Sequence, residues 1–242
     1  MIGGRARKTA FAIAGSVVLT VGLGACITPT TPTTPTCTAP TPIIAGFPPA
    51  TTTGPVPGWY SGDTRAHGSV RVDSTYSAPD GFGCNAAVFT TGDSAGGLDK
   101  AQLADFDMAG TPLSAINNIS YQAYRSSLSA PGSVAHLAFN VAVSNLVTSA
   151  TLVYEPYLQS GGAAAIQDNT WQAWPASSGV WWTPEIASGP GSQSSPQPWT
   201  FFQTTYGSGW FVVAYGLDIG SSNPNMVVAG DDIVFGPTTV DF

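Results

Sequence analysis

The chain has 242 residues, 43% of them hydrophobic and only 9% charged, with 28 Gly, 20 Pro and a formal net charge of −7. That composition excludes surfaces of charged helices, which are built on Glu, Lys, Arg and Leu, and describes short strands joined by tight turns. Three of the seven basic residues (Arg5, Arg7, Lys8) precede the first apolar run, which leaves Arg65, Arg71, Lys100 and Arg125 against 14 acids. The phosphate-neutralising footprint of a nucleic-acid binder is therefore missing.

Residues 1–25 read as a signal peptide, with a basic start, an uncharged apolar run from Thr9 and a small-residue end. A membrane span would need a longer run and a basic flank, and here Thr and Pro follow at once. Residues 26–57 read as a tether. Its prolines fix φ and donate no hydrogen bond, so it samples extended conformers and forms neither helix nor sheet interior. Ile43, Ile44 and Phe47 interrupt its polar composition and are candidates to dock on the domain.

From residue 58 to 242 the chain reads as one β-sandwich domain. Apolar runs of strand length recur between turn signals such as Pro79-Asp80-Gly81, Ser160-Gly161-Gly162 and Asn223-Pro224-Asn225. In chain order the expected strands are 68–72, 85–91, 99–107, 119–124, 135–143, 151–157, 170–174, 199–203, 210–217, 225–228 and 232–235. The segment 135–143 alternates most strictly, with Leu137, Phe139, Val141 and Val143 on one face and His136, Ala138, Asn140 and Ala142 on the other. The segment 210–217 is apolar on both faces and is expected to be a central strand. Many short strands with scarcely a helix predict an all-β antiparallel sandwich.

Two resemblances add to this reading. Leu23-Gly24-Ala25-Cys26 resembles the bacterial lipobox, which implies cleavage before Cys26, acylation of its thiol, and a lipid-anchored place outside the cytoplasm on the cell envelope. Acylation of Cys26 leaves Cys37 and Cys84, which an oxidising compartment would join as a disulfide. The second resemblance covers roughly residues 119–242. Tyr154-Glu155-Pro156-Tyr157, Trp171-Gln172-Ala173-Trp174, Gly179-Val180-Trp181-Trp182 and the closing Asp231-Asp232-Ile233-Val234-Phe235-Gly236 run are similar to secreted bacterial β-sandwich domains. Their last strand is like that of jelly-roll carbohydrate-binding modules. The resemblance implies a jelly-roll-like fold and an exported compartment.

No nucleophile-elbow motif occurs, and His67 and His136 are the only histidines, too few for zinc without cysteine partners. Glu155 and the Asp105/Asp107 pair are the carboxylates a glycosidase would draw on. Asp231, Asp232 and Asp241 could hold a structural calcium ion through hard oxygen ligands, or simply close a hairpin. Trp171 and Trp174 have opposite strand parity, as do Trp181 and Trp182, so at most one of each pair can face the core. Exposed indoles make stacking platforms for sugars. The expected ligand face is therefore Gln122, Tyr124, His136, Asn140 and Tyr157, with tryptophans drawn from Trp171, Trp174, Trp181 and Trp182. The reading is a surface-displayed lipoprotein binding a glycan or another cell-surface component without chemistry. A structural or adhesion domain stands second and a glycoside hydrolase third.

Overall fold

The computed structural model describes residues 39–48, 55–93 and 99–242. In chain order, β1 (Ile43–Ile44), β2 (Val56–Tyr60), β3 (Gly68–Asp73), β4 (Ala86–Thr91) and β5 (Ala101–Phe106) come first. β6 (Ile119–Arg125), β7 (Ala138–Ser144), β8 (Ser149–Tyr154) and β9 (Trp171–Trp174) follow. The chain ends with β10 (Val180–Trp181), β11 (Gln197–Pro198), the helix α1 (Trp199–Tyr206), β12 (Phe211–Ile219), β13 (Val227–Phe235) and β14 (Thr238–Val240).

The fold is an all-β sandwich of two six-stranded sheets. The first runs β1-β2-β5-β12-β7-β8, and the second runs β3-β4-β13-β6-β9 with β14 on β13. Every pairing is antiparallel except β1 with β2. The inner faces meet through large residues. Tyr215 of β12 stacks on Phe235 of β13 at 4.3 Å, and Phe139 of β7 lies 6.0 Å from the same ring. Phe139, Val141 and Val143 are fully buried, as the alternation in this segment requires. β12 sits inside the first sheet between β5 and β7, where an apolar strand belongs.

Three local expectations are corrected. Residues 199–203 form the start of α1, not a strand. Trp199 and Phe202, three apart, are buried on one side of the helix. Pro198 precedes the helix in an extended conformation, and the Trp199 indole donates to the Ile116 carbonyl at 2.7 Å. The expected strands 225–228 and 232–235 are one nine-residue strand, β13, with a bulge between Asp231 and Val234. The Gly230 between them marks a close approach, since a Cβ there would lie 2.5 Å from the tips of Leu137 and Leu217. Finally, β1 and the start of β2 fall inside 26–57, so the folded unit takes in part of the segment read as tether. Ile43 and Ile44 pair with Trp59 and Tyr60 on an otherwise open sheet edge, and Phe47 packs over Gly62.

One buried carboxyl carries a pH signature. Asp105 of β5 is 6% exposed, and its Oδ1 accepts the Asp107 amide at 2.8 Å. Burial, with the Asp107 charge adding to it, raises its pKa from 3.8 to about 6. Between those values the folded chain keeps a proton that the unfolded chain has lost, so its contribution to stability falls as pH rises and stays low above pH 6. After discounting for solvent screening, the loss is about 1–2 kcal/mol. Asp105→Asn is expected to recover it at pH 8 and to match the wild type near pH 4 in urea unfolding. An equal difference at both pH values would contradict this.

Candidate functional site

The strands that supply large residues to the core supply small ones to the outer face of the first sheet. Ala138, Asn140 and Ala142 of β7 face outward, beside Ala214 and Gly216 of β12 and Ala104 of β5. Short side chains in three neighbouring strands leave a trough where a sheet normally presents a ridge. Two adjoining cavities of about 330 Å³ each make up this trough, and they share Lys100, Asn140 and Thr151.

Polar groups line it at one end. Asp218 is paired with Ala138 across β12 and β7, and Phe139 is paired with Tyr154 across β7 and β8. The next step of that second ladder sets Glu155 beside Ala138. The two acidic residues therefore flank one alanine, their backbones two strand spacings or roughly 9.5 Å apart along the sheet.

Their surroundings differ. Glu155 Oε2 accepts from Tyr157 Oη at 2.9 Å, Trp182 Nε1 at 2.8 Å and Gln193 Nε2 at 3.1 Å. Asp218 is buried, with Lys100 Nζ at 3.4 Å and the Asn140 amide donating to it. Burial pushes the Asp218 carboxyl up despite Lys100, and the charge of Glu155 pushes the same way. Lys100 also donates to Asp63 at 2.8 Å. Burial works against ionisation of Asp63, yet its bonds to Lys100 and Arg65 hold it below the ordinary carboxylate value.

Three buried polar atoms on residues lining the trough have no hydrogen-bond partner: Asn140 Oδ1, His136 Nε2, whose ring packs 5.8 Å from Trp174 of the second sheet, and Tyr215 Oη, whose ring stacks in the core. His136 is 4% exposed, and its Nδ1 accepts the Leu137 amide at 2.7 Å. Burial, and then the nearby Arg125 charge, hold its pKa down to about 3. The imidazole is thus neutral near pH 7. With Nδ1 accepting, its proton sits on Nε2.

The expected ligand residues divide between the two outer faces. His136, Asn140, Tyr157 and Trp182 line the trough. Gln122, Tyr124 and Trp171 belong to the opposite sheet, which corrects the expectation of a single face. There Tyr124 lies 4.9 Å from Tyr76 and 5.7 Å from Trp171, and its hydroxyl donates to Asn169 at 3.1 Å. Gln122 donates to Asp232. These polar atoms are satisfied within the protein. Trp174 and Trp181 are buried and contribute to packing, while Trp171 and Trp182 are partly exposed, one from each pair.

Asp231 is fully buried, and its Oδ1 accepts the Phe242 amide at 3.1 Å. Asp232 adopts a positive φ of 46° at the bulge and turns to Gln122, and Asp241 is exposed near Gly83. Among the described residues no group of three or more His, Cys, Asp or Glu side chains converges as a metal site. Cys26 and Cys37 lie outside the described residues, as does the segment read as signal peptide. Cys84 stands two residues before β4. No described helix is long and apolar enough to cross a membrane.

Sequence reasoning did not single out Asp218, Lys100 or Gln102 for the site. The available signal was the small residue at alternate positions, Ala138 and Ala142 in β7 and Ala214 and Gly216 in β12, with Ala104 of β5, which shows its meaning only once those strands are known to be neighbours. The chain matches no family model and no curated protein.

Proposed function

We propose that the sandwich binds a glycan in the trough of the first sheet, on a protein lipid-anchored through Cys26 and displayed on the cell envelope. The observation that carries the binding reading is the trough itself, floored by Ala138, Ala142, Ala214 and Gly216 and bordered by the polar residues Asn140, Glu155, Tyr157 and Asp218. A concave surface with a few convergent polar groups suits a hydroxyl-rich ligand, which can both donate to and accept from them. Trp182 and Tyr157 stand beside them, partly exposed, as flat apolar walls for sugar C–H groups. The lipobox-like sequence supports the anchor, and export supports a Cys37–Cys84 bridge.

A glycan array, run with and without calcium, tests the binding reading. Asn140→Ala and Trp182→Ala are expected to weaken any hit at least about tenfold, the effect of losing one hydrogen bond or stacking contact in a desolvated site. Trp171→Ala, on the opposite face, should leave it intact. A blank array, or trough variants that bind like the wild type, would point instead to a structural or adhesion domain. Mass analysis of the mature N-terminal peptide tests the anchor, since an unmodified Cys26 would remove it.

Hydrolysis is a second reading, favoured by the placement of Asp218 and Glu155 across Ala138. Inverting glycosidases hold their two carboxyl groups about 6.5–9.5 Å apart. Release of new reducing ends from a bound glycan, lost in Glu155→Gln, would establish it.

A further inference from the structure

We infer that the tip of the β7–β8 hairpin dips into the bilayer that anchors the chain, with Leu146 and Val147 as the inserting side chains. The inference rests on the anchor reading at Cys26 and goes beyond it, because it gives the sandwich a fixed orientation on the membrane.

The tip reads Ser144-Asn145-Leu146-Val147-Thr148-Ser149 and carries no charge. Leu146 is 91% exposed and Val147 88%, the two most exposed large hydrophobics among the described residues. Their display is built into the turn. Leu146 sits at a φ of 70°, a conformation that glycine adopts freely and a branched side chain does not. Ser144 Oγ accepts the Leu146 amide at 3.0 Å, and Asn145 Oδ1 accepts the amides of Val147 at 3.0 Å and Thr148 at 2.8 Å. These polar side chains turn back onto the loop's own backbone, and the aliphatic ones point out. A strained turn that holds two aliphatic side chains in water points to a surface that receives them.

Strand direction identifies that surface. β7 runs toward the tip and β1 runs away from it, because β1 is parallel to β2 and the pairings from β2 through β5 and β12 to β7 are antiparallel. The chain therefore enters the sandwich at the end that carries the tip. Ala39, the first described residue, follows Cys26 by only 13 residues, at most about 45 Å of chain. An acylated Cys26 thus keeps this end near lipid. Two side chains on a convex tip fall far short of the roughly 800 Å² that a stable protein interface takes from each partner. A bilayer needs no complementary groove, and a shallow apolar insertion suffices for a domain that is already tethered. So docked, the sandwich turns the Ala138 end of β7, with Asp218 beside it, away from the lipid.

The test uses the acylated protein purified from the cell envelope and reconstituted in phosphatidylcholine vesicles, with an environment-sensitive fluorophore on Val147→Cys. The unsubstituted chain, labelled alongside, gives the background from its own thiols. Phosphatidylcholine spin-labelled high on its acyl chain is expected to quench the fluorophore at least about twofold, as an interfacial depth requires. The same label on Ser222→Cys, in the exposed β12–β13 connection at the other end of the sheet, should stay unquenched. Leu146→Asp, a change at an exposed position, should abolish the quenching at 147. Quenching at 147 no greater than at 222 overturns the insertion. So does an emission shift that appears only as the protein-to-lipid ratio rises, which would mean that tips meet second copies. Either result leaves an acylated Cys26 standing, whereas an unmodified Cys26 in the mass analysis brings down the anchor reading and this orientation with it.

Discussion

Trp181→Ala is expected to destabilise the sandwich by about 3–5 kcal/mol, whereas Trp182→Ala, one residue along, should cost about 1 kcal/mol or less. Trp181 is fully buried, and its ring packs 4.7 Å from Trp199, 5.5 Å from Tyr154 and 6.2 Å from Phe139. Its indole donates to the Ala176 carbonyl at 2.8 Å. Truncation would empty an aromatic cluster joining β7, β8, β10 and α1, and would leave a buried carbonyl without its donor. Trp182 is partly exposed, and its indole donates to Glu155 in the trough while its backbone pairs with Val153, a bond that truncation leaves in place. Its loss should appear in ligand affinity and barely in denaturant midpoint. Chemical unfolding of the two variants, alongside binding, separates the roles. Equal stability losses would mean that the parity of the pair does not govern their environments.

Gly216→Ala is expected to cost about 3 kcal/mol, at the upper end for an added methyl group. A Cβ at 216 would lie 2.0 Å from the Leu103 carbonyl oxygen and 2.8 Å from the Ala104 Cα. The obstacle is the backbone of the neighbouring strand, which cannot rotate away as a side-chain tip can. To fit the methyl, β5 must move off β12, weakening a ladder that runs from Tyr215↔Asp105 to Ile219↔Ala101. The same movement would displace Gln102 and Lys100 from Asp218, so affinity should fall with stability. Thermal unfolding and ligand titration of this variant check both. A variant as stable as the wild type would mean that β5 tolerates a wider spacing.

Much of the fold was legible because the outward and inward positions of the strands differ so sharply in size. Leu137, Phe139, Val141 and Val143 declared an inner face without help from any neighbour. Trp199 to Gln203 did not, because a short aromatic segment satisfies both periods, and the buried side of α1 is fixed by Ile116 and Leu113, which are remote in sequence. Gly230 read as an interruption for a similar reason. A glycine in a strand signals either a break or a close approach, and only the opposite sheet decides which. The site was legible in halves. His136, Asn140, Tyr157 and Trp182 stood out singly, but which sheet each strand joins is a long-range property. Gln122, Tyr124 and Trp171 were therefore grouped with residues on the far side of the sandwich. Asp218 was hidden inside the most apolar strand of the chain, where an acid reads as an exception.

The two-residue β1 makes the sandwich responsive to load. Its pairing with Trp59 and Tyr60 is the outermost in the first sheet, and Phe47, just beyond it, rests at the trough beside Asp63 and Gln102. Traction entering from the amino-terminal side would meet β1 first and strip it from the edge before any interior strand yields. Continued pull would lift Phe47 off Gly62 and widen the mouth of the trough, so under the proposed anchoring and binding, tension on the amino-terminal side and grip on a ligand would be mechanically linked.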